Sequence, residues 1–156
     1  MKIRRAFYKY PWKPLNFAIG LWTLPLNLFT PWYSHEEVGL FLDNEWIYFS
    51  STLRGDAKGT RWITEKDLFK YPKRWDVYEK EVYGIDEIKK RIDLISDLPY
   101  DLKGLTAFLF VFGFLNDAEA WYCSEACYFV IFNVWKKTVS PRRSYAKDKK
   151  NLVKVI

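Results

Sequence analysis

One histidine, two cysteines and one methionine in 156 residues leave this chain little from which to build a metal or redox centre. Cys123 and Cys127 stand four apart on a stretch of helical character. That spacing suits neither a disulfide between them nor the CxxC pattern of common zinc sites. A secretory disulfide framework is therefore excluded, no metal is expected, and a reducing compartment fits the cysteine usage. The seven glycines form no phosphate-cradling loop, and no serine stands in a nucleophile-elbow pattern. Nucleotide binding by a P-loop and serine hydrolase chemistry thus lack a carrier, and no cofactor is expected. Internal repeats and low-complexity tracts are also lacking.

Aromatic residues are abundant instead, at 20%, within 49% hydrophobic residues. That is enough apolar surface for one packed domain over residues 1–156. The formal charge of +6 permits contact with nucleic acid or an anionic membrane. The excess is modest, however, and part of it gathers after Trp135, in Lys136, Lys137, Arg142, Arg143 and the lysines of 147–150. A membrane surface stays open as a partner, nucleic acid is not an expected one, and a basic tail from about residue 145 is expected to be flexible. The run KYPKRWDVYEK interleaves bases and aromatics, a pattern that surface strands of small basic proteins share. Lys2, Arg4 and Arg5 ahead of apolar residues have the outline of a signal peptide. Asn16, Pro25, Asn27 and Pro31 interrupt the apolar run 15–33, and no small-residue cleavage site follows it. Neither a leader nor a span is expected, and the protein reads as cytoplasmic.

Periodicity divides the chain into an α+β pattern. Residues 15–23 suit a core helix. Residues 35–42 and 45–51 suit two strands joined at Asp43-Asn44, with Leu42 opposite Glu45, Phe41 opposite Trp46, Gly39 opposite Tyr48 and Glu37 opposite Ser50. Residues 52–59 read as a loop, and 61–64 and 75–82 as further strands. Ile85, Ile88, Ile92 and Ile95 recur at helical spacing around Lys89, Lys90 and Arg91, which predicts an amphipathic helix. Residues 104–115 are apolar on all sides and suit a buried helix, with 116–119 as a polar linker. In WYCSEACYFVIFNVW, residues 121–135, Cys123, Cys127, Val130, Ile131 and Val134 share one helical stripe.

Cys123 falls at the start of that last helix, where unpaired backbone N–H groups and the positive dipole end favour a thiolate. A buried cysteine with no chemistry is the plain alternative, and it is the one expected of Cys127. His35 is the chain's only histidine, so any cysteine-histidine chemistry within the chain must use it. Residues two apart on a strand face the same way, which makes His35 and Glu37 neighbours and puts Glu36 on the opposite face. A carboxylate beside an imidazole accepts its N–H, fixes the tautomer and stabilises the imidazolium. Gly39 would leave room beside them, and Ser50 would reach Glu37 from the next strand. A hydrogen-bonded structural histidine and a solvated glutamate are the plain alternatives here.

YSHEEVGLFL, FSS, the Trp75-Asp76 pair, PYDLKG, WYCSEA and SPRR, taken in this order, resemble the circularly permuted papain-like family. This is the branch of the NlpC-type superfamily that includes YiiX-like and YebB-like proteins and is common in phages, and in it the histidine strand precedes the cysteine helix. The resemblance spans residues 15–144 and implies a small antiparallel sheet packed against the nucleophile-bearing helix. It implies Cys123 as nucleophile, His35 as general base and acid, and the Cys123 N–H as part of an oxyanion hole. Relatives often carry a polar third residue on the strand after the histidine hairpin, where this chain offers Ser50 and Ser51. Members with a glutamate two residues after the histidine match Glu37, the preferred third member. The function implied is a cysteine-dependent hydrolase, an amidase or peptidase or an acyl-ester or thioester hydrolase. A peptide, lipid or small molecule with an amide or ester carbonyl would be its substrate. Alternatives are a catalytically silent basic phage protein that binds or inhibits, and an acyltransferase at a membrane surface.

Overall fold

A computed structural model of the chain describes residues 1–9, 31, 33–53, 58–101, 120–136 and 139–156. Its elements are β1 (Lys2–Tyr8), β2 (His35–Leu42), β3 (Glu45–Thr52), β4 (Gly59–Thr64), α1 (Glu65–Leu68), β5 (Trp75–Glu81), α2 (Ile85–Ile95), α3 (Cys123–Phe132), α4 (Pro141–Asp148) and β6 (Val153–Lys154). The strands form one antiparallel sheet in the order β4-β3-β2-β1-β5-β6, so the architecture is α+β. The helices expected over 15–23 and 104–115 and the linker at 116–119 lie outside the described residues. Among the described residues no helix is long and apolar enough to cross a membrane.

The hairpin has the expected register, with Leu42 opposite Glu45, Phe41 opposite Trp46 and Gly39 opposite Tyr48. Its turn needs two left-handed residues, and Asp43 and Asn44 supply them at φ 47° and 67°. Gly39 opens no space for a ligand. A Cβ there would lie 2.7 Å from Cε1 of Tyr48, so the glycine serves to admit that ring.

β1 is the principal departure from the expected pattern. The opening basic residues form an inner strand, with Tyr8 opposite both His35 and Trp75. Ile3, Val38, Leu40 and Phe49 pack against Ile88, Ile92 and Ile95 of α2 and Trp121, Ala126, Cys127 and Val130 at and along α3. Each isoleucine so buried contributes roughly 1.5–3 kcal/mol. Ala6, Tyr8, Tyr48, Trp75 and Val77 form a second cluster with Leu68 of α1.

At the end of the chain, where a flexible tail was expected from about residue 145, α4 runs to Asp148 and β6 follows. Ser140 caps α4 by accepting from the Arg143 N–H, Pro141 fits the first turn, and β6 pairs with β5. The cause is a buried charge. Arg5 is fully buried on β1, and its guanidinium donates to Glu36 Oε1 (2.5 Å), Asp148 Oδ2 (3.0 Å) and Ser144 Oγ (2.7 Å). Lys80 Nζ reaches the other Asp148 oxygen at 2.8 Å. α4 thus brings in the carboxylate that a cation inside the sheet requires. Val134 was expected on the α3 stripe, but it lies beyond the helix and is exposed. Asn133 turns left-handed at φ 53° and its N–H closes on the Phe129 carbonyl, which ends α3 first.

Candidate active site

Cys123 is the first residue of α3 and follows Tyr122, whose backbone is extended and whose side chain makes no capping bond. The first-turn N–H groups have no partner within the helix, and the dipole end is positive there. Three anchors fix this helix start. Ser51 Oγ on β3 donates to the Trp121 carbonyl at 2.5 Å, the Trp121 N–H donates to the Pro99 carbonyl at 3.0 Å, and Ser124 Oγ donates to the Val139 carbonyl.

His35 begins β2 with its ring buried against the edge of Trp75. Nε2 lies 2.8 Å from Glu37 Oε1, and Cys123 is near enough to act on the charge of the ring. An ionised carboxylate can only accept, so Nε2 carries the hydrogen and Nδ1 is the nitrogen that the neutral ring leaves free to accept. His35 and Glu37 are thus bonded side by side on β2, with Cys123 near enough to act on the ring.

Glu37 is fully buried and has a second partner that the sequence analysis missed. Arg61 on β4 donates from Nη2 to Oε1 at 2.8 Å and from Nη1 to Oε2 at 3.1 Å. A signal for it was present, because Arg61 stands opposite Ser50 and carrying the hairpin register one strand further puts it on the Glu37 face. Ser50 was expected to bond Glu37. It donates instead to the Glu36 carbonyl at 2.6 Å, while Ser51 donates to the Trp121 carbonyl. Glu36, on the other strand face, is the partner of Arg5 described above.

These contacts set the ionisation of the row. Burial acts to lower the His35 pKa, but the interactions with Cys123 and Glu37 outweigh burial and push the imidazole up to about 9. Burial acts to raise Glu37, and its bonds to His35 and Arg61 reverse this and hold the carboxyl below its ordinary value. Cys127, one turn further along α3, is fully buried with Sγ 3.4 Å from the Glu36 carbonyl. Burial and the nearby Glu36 and Glu37 push its thiol well above the usual range, so it is a core residue.

The arrangement can hold a thiol beside a base whose tautomer is fixed by a buried carboxylate, which is the requirement for nucleophilic attack by sulfur. Among the described residues no group of three or more histidine, cysteine, aspartate or glutamate side chains could hold a metal ion. No protein-family model matches the chain, and no curated protein matches it.

Proposed function

We propose that the protein is a cysteine-dependent hydrolase of the permuted papain-like type, acting on an amide, ester or thioester carbonyl. The observation that carries this reading is the row from the Cys123 thiol at a helix start, through the His35 ring, to the Glu37 carboxylate 2.8 Å from Nε2. The permuted order is consistent with it, since the histidine strand precedes the cysteine helix and that helix packs on an antiparallel sheet.

In the proposed reaction the Cys123 sulfur attacks the carbonyl carbon, and the carbonyl oxygen becomes an oxyanion close to the Cys123 N–H. The imidazolium of His35 gives its Nδ1 proton to the leaving amine, alcohol or thiol, and a thioacyl intermediate remains on Cys123. Neutral His35 then takes a proton from water, whose oxygen attacks the thioester carbon. Collapse releases the carboxylic acid and returns the proton to the row. Glu37 holds the ring through both halves and is not itself protonated.

A second reading, a silent binding protein on the same fold, draws on the burial of Cys123, which is only 6% exposed. A panel of amide, ester and thioester substrates assayed beside Cys123→Ala separates the two. Turnover that vanishes in the variant supports the hydrolase. Turnover that survives the substitution removes Cys123 as nucleophile, and none across the panel favours the binding protein.

A further inference from the structure

Glu37 stands between two cationic partners. The His35 ring holds Oε1, and the guanidinium of Arg61 forks across both carboxylate oxygens from a different strand. We propose that Arg61 is a positioning residue of the site, whose guanidinium keeps Glu37 ionised and aimed at the His35 ring while that ring is neutral. The proposal rests on reading Cys123, His35 and Glu37 as one constellation.

The need for Arg61 follows from the two states of the ring. While His35 is an imidazolium, it is itself the counter-ion of Glu37. Once it has given up its proton, the carboxylate remains fully buried beside a neutral ring. A lone buried carboxylate is costly, so it would take up a proton or draw away from the ring. Either change removes the acceptor from Nε2 and lets the ring hydrogen move to Nδ1, the nitrogen that has to accept the next proton. Arg61 prevents this because a guanidinium stays charged at every working pH and its planar fork matches a carboxylate. Burial disfavours charge on Arg61 too, yet the attraction and hydrogen bonds of Glu37 exceed that cost. Among the described residues, the other titratable groups that act on this row are Cys123 and Cys127 from α3 and Glu36 on β2. All three are acids, and none can replace a cation.

The single histidine makes the test direct, because nitrogen NMR of 15N-labelled rings reads His35 alone. In the wild type, the neutral ring above its titration midpoint is expected to be wholly the Nε2–H tautomer. In Arg61→Met, the Nδ1–H form should appear, and the midpoint should rise by about one pH unit or more, since the last proton of the His35–Glu37 pair now leaves an uncompensated anion. Arg61→Lys keeps the charge without the fork, so its midpoint should stay near the wild-type value while the tautomers mix. Circular dichroism establishes that each variant is folded. Should Arg61→Met not fold, the tautomer ratio in Arg61→Lys carries the test by itself. A wholly Nε2–H ring with the wild-type midpoint in Arg61→Met overturns the proposal, as does an unmixed tautomer in Arg61→Lys where that variant stands alone. The measurement needs no turnover. A chain without hydrolytic activity whose tautomers respond to Arg61 removes the hydrolase and keeps the positioning role, and a hydrolase with an unresponsive ring does the reverse.

Discussion

Arg5 and Asp148, 143 positions apart in the chain, meet in the interior as an ion pair with 3.0 Å between Nη1 and Oδ2. The pair joins an inner strand to the end of α4, and Lys80 binds the same carboxylate. Removing the acid leaves Arg5 buried with Glu36 alone as counter-ion among the described residues, and breaking a buried pair costs about 3–5 kcal/mol. Asp148→Ala is expected to lose about that much unfolding free energy in a urea titration. A variant as stable as the wild type would mean that α4 is not needed to neutralise the core.

Local signals carried most of what could be read in advance. The Asp43-Asn44 turn fixed the hairpin register, the isoleucine spacing found α2, and strand alternation set His35 beside Glu37 and Glu36 behind them. Contacts between distant segments were not legible. β1 is buried on both faces, so Ile3, Arg5 and Phe7 alternate with Arg4, Ala6 and Tyr8 without an apolar and a polar side. Its arginines resembled the start of a leader because their carboxylate partners lie elsewhere in the chain, at Glu36, Asp148, Glu65 and Glu79. β6 is two residues long and exists only through its pairing with β5. Ser140 and Pro141 open a helix that was not expected, because the lysines that follow read as a solvated tail. Arg61 stayed hidden because its relation to Glu37 runs across three strands.

Stability should fall on both sides of a plateau in mildly acidic solution. The His35 imidazole is raised to about 9, so it favours the folded state fully below its unfolded value near 6.5, and that contribution is lost as pH rises through about 9. Glu37 and Asp148 act in the opposite sense, since both are held below ordinary carboxylate values. Their contribution is present above about pH 4 and is lost as pH falls through the folded-state values. Each group limits the slope to about 1.4 kcal/mol per pH unit. Urea midpoints measured across pH should show an alkaline decline that flattens in His35→Gln. An unchanged alkaline decline in that variant would show that His35 does not cause it.

Ser51 tests how firmly the helix start is held. Its hydroxyl satisfies the Trp121 carbonyl two residues before Cys123. Ser51→Ala leaves that carbonyl with the Asp101 N–H as donor, at about 0.5–1.5 kcal/mol of stability, and loosens the first turn of α3. Thermal unfolding should register the loss, and turnover should fall with substrate affinity unchanged. A fall in stability with full turnover would make Ser51 a purely structural anchor.

Cys123 and Cys127 lie one turn apart on α3 and share a residue type, so the difference between them isolates what His35 does. Mass-resolved alkylation of the native protein beside His35→Ala is the most direct measurement of the proposed thiol–imidazole pair. Cys123 is expected to carry the adduct while Cys127, fully buried with its thiol pushed well up, stays unmodified until the protein unfolds. In His35→Ala the rate at Cys123 should drop about tenfold or more, with Cys127 unaffected. Labelling of Cys127 first, or of Cys123 at the same rate in both proteins, would contradict the pair and with it the hydrolase.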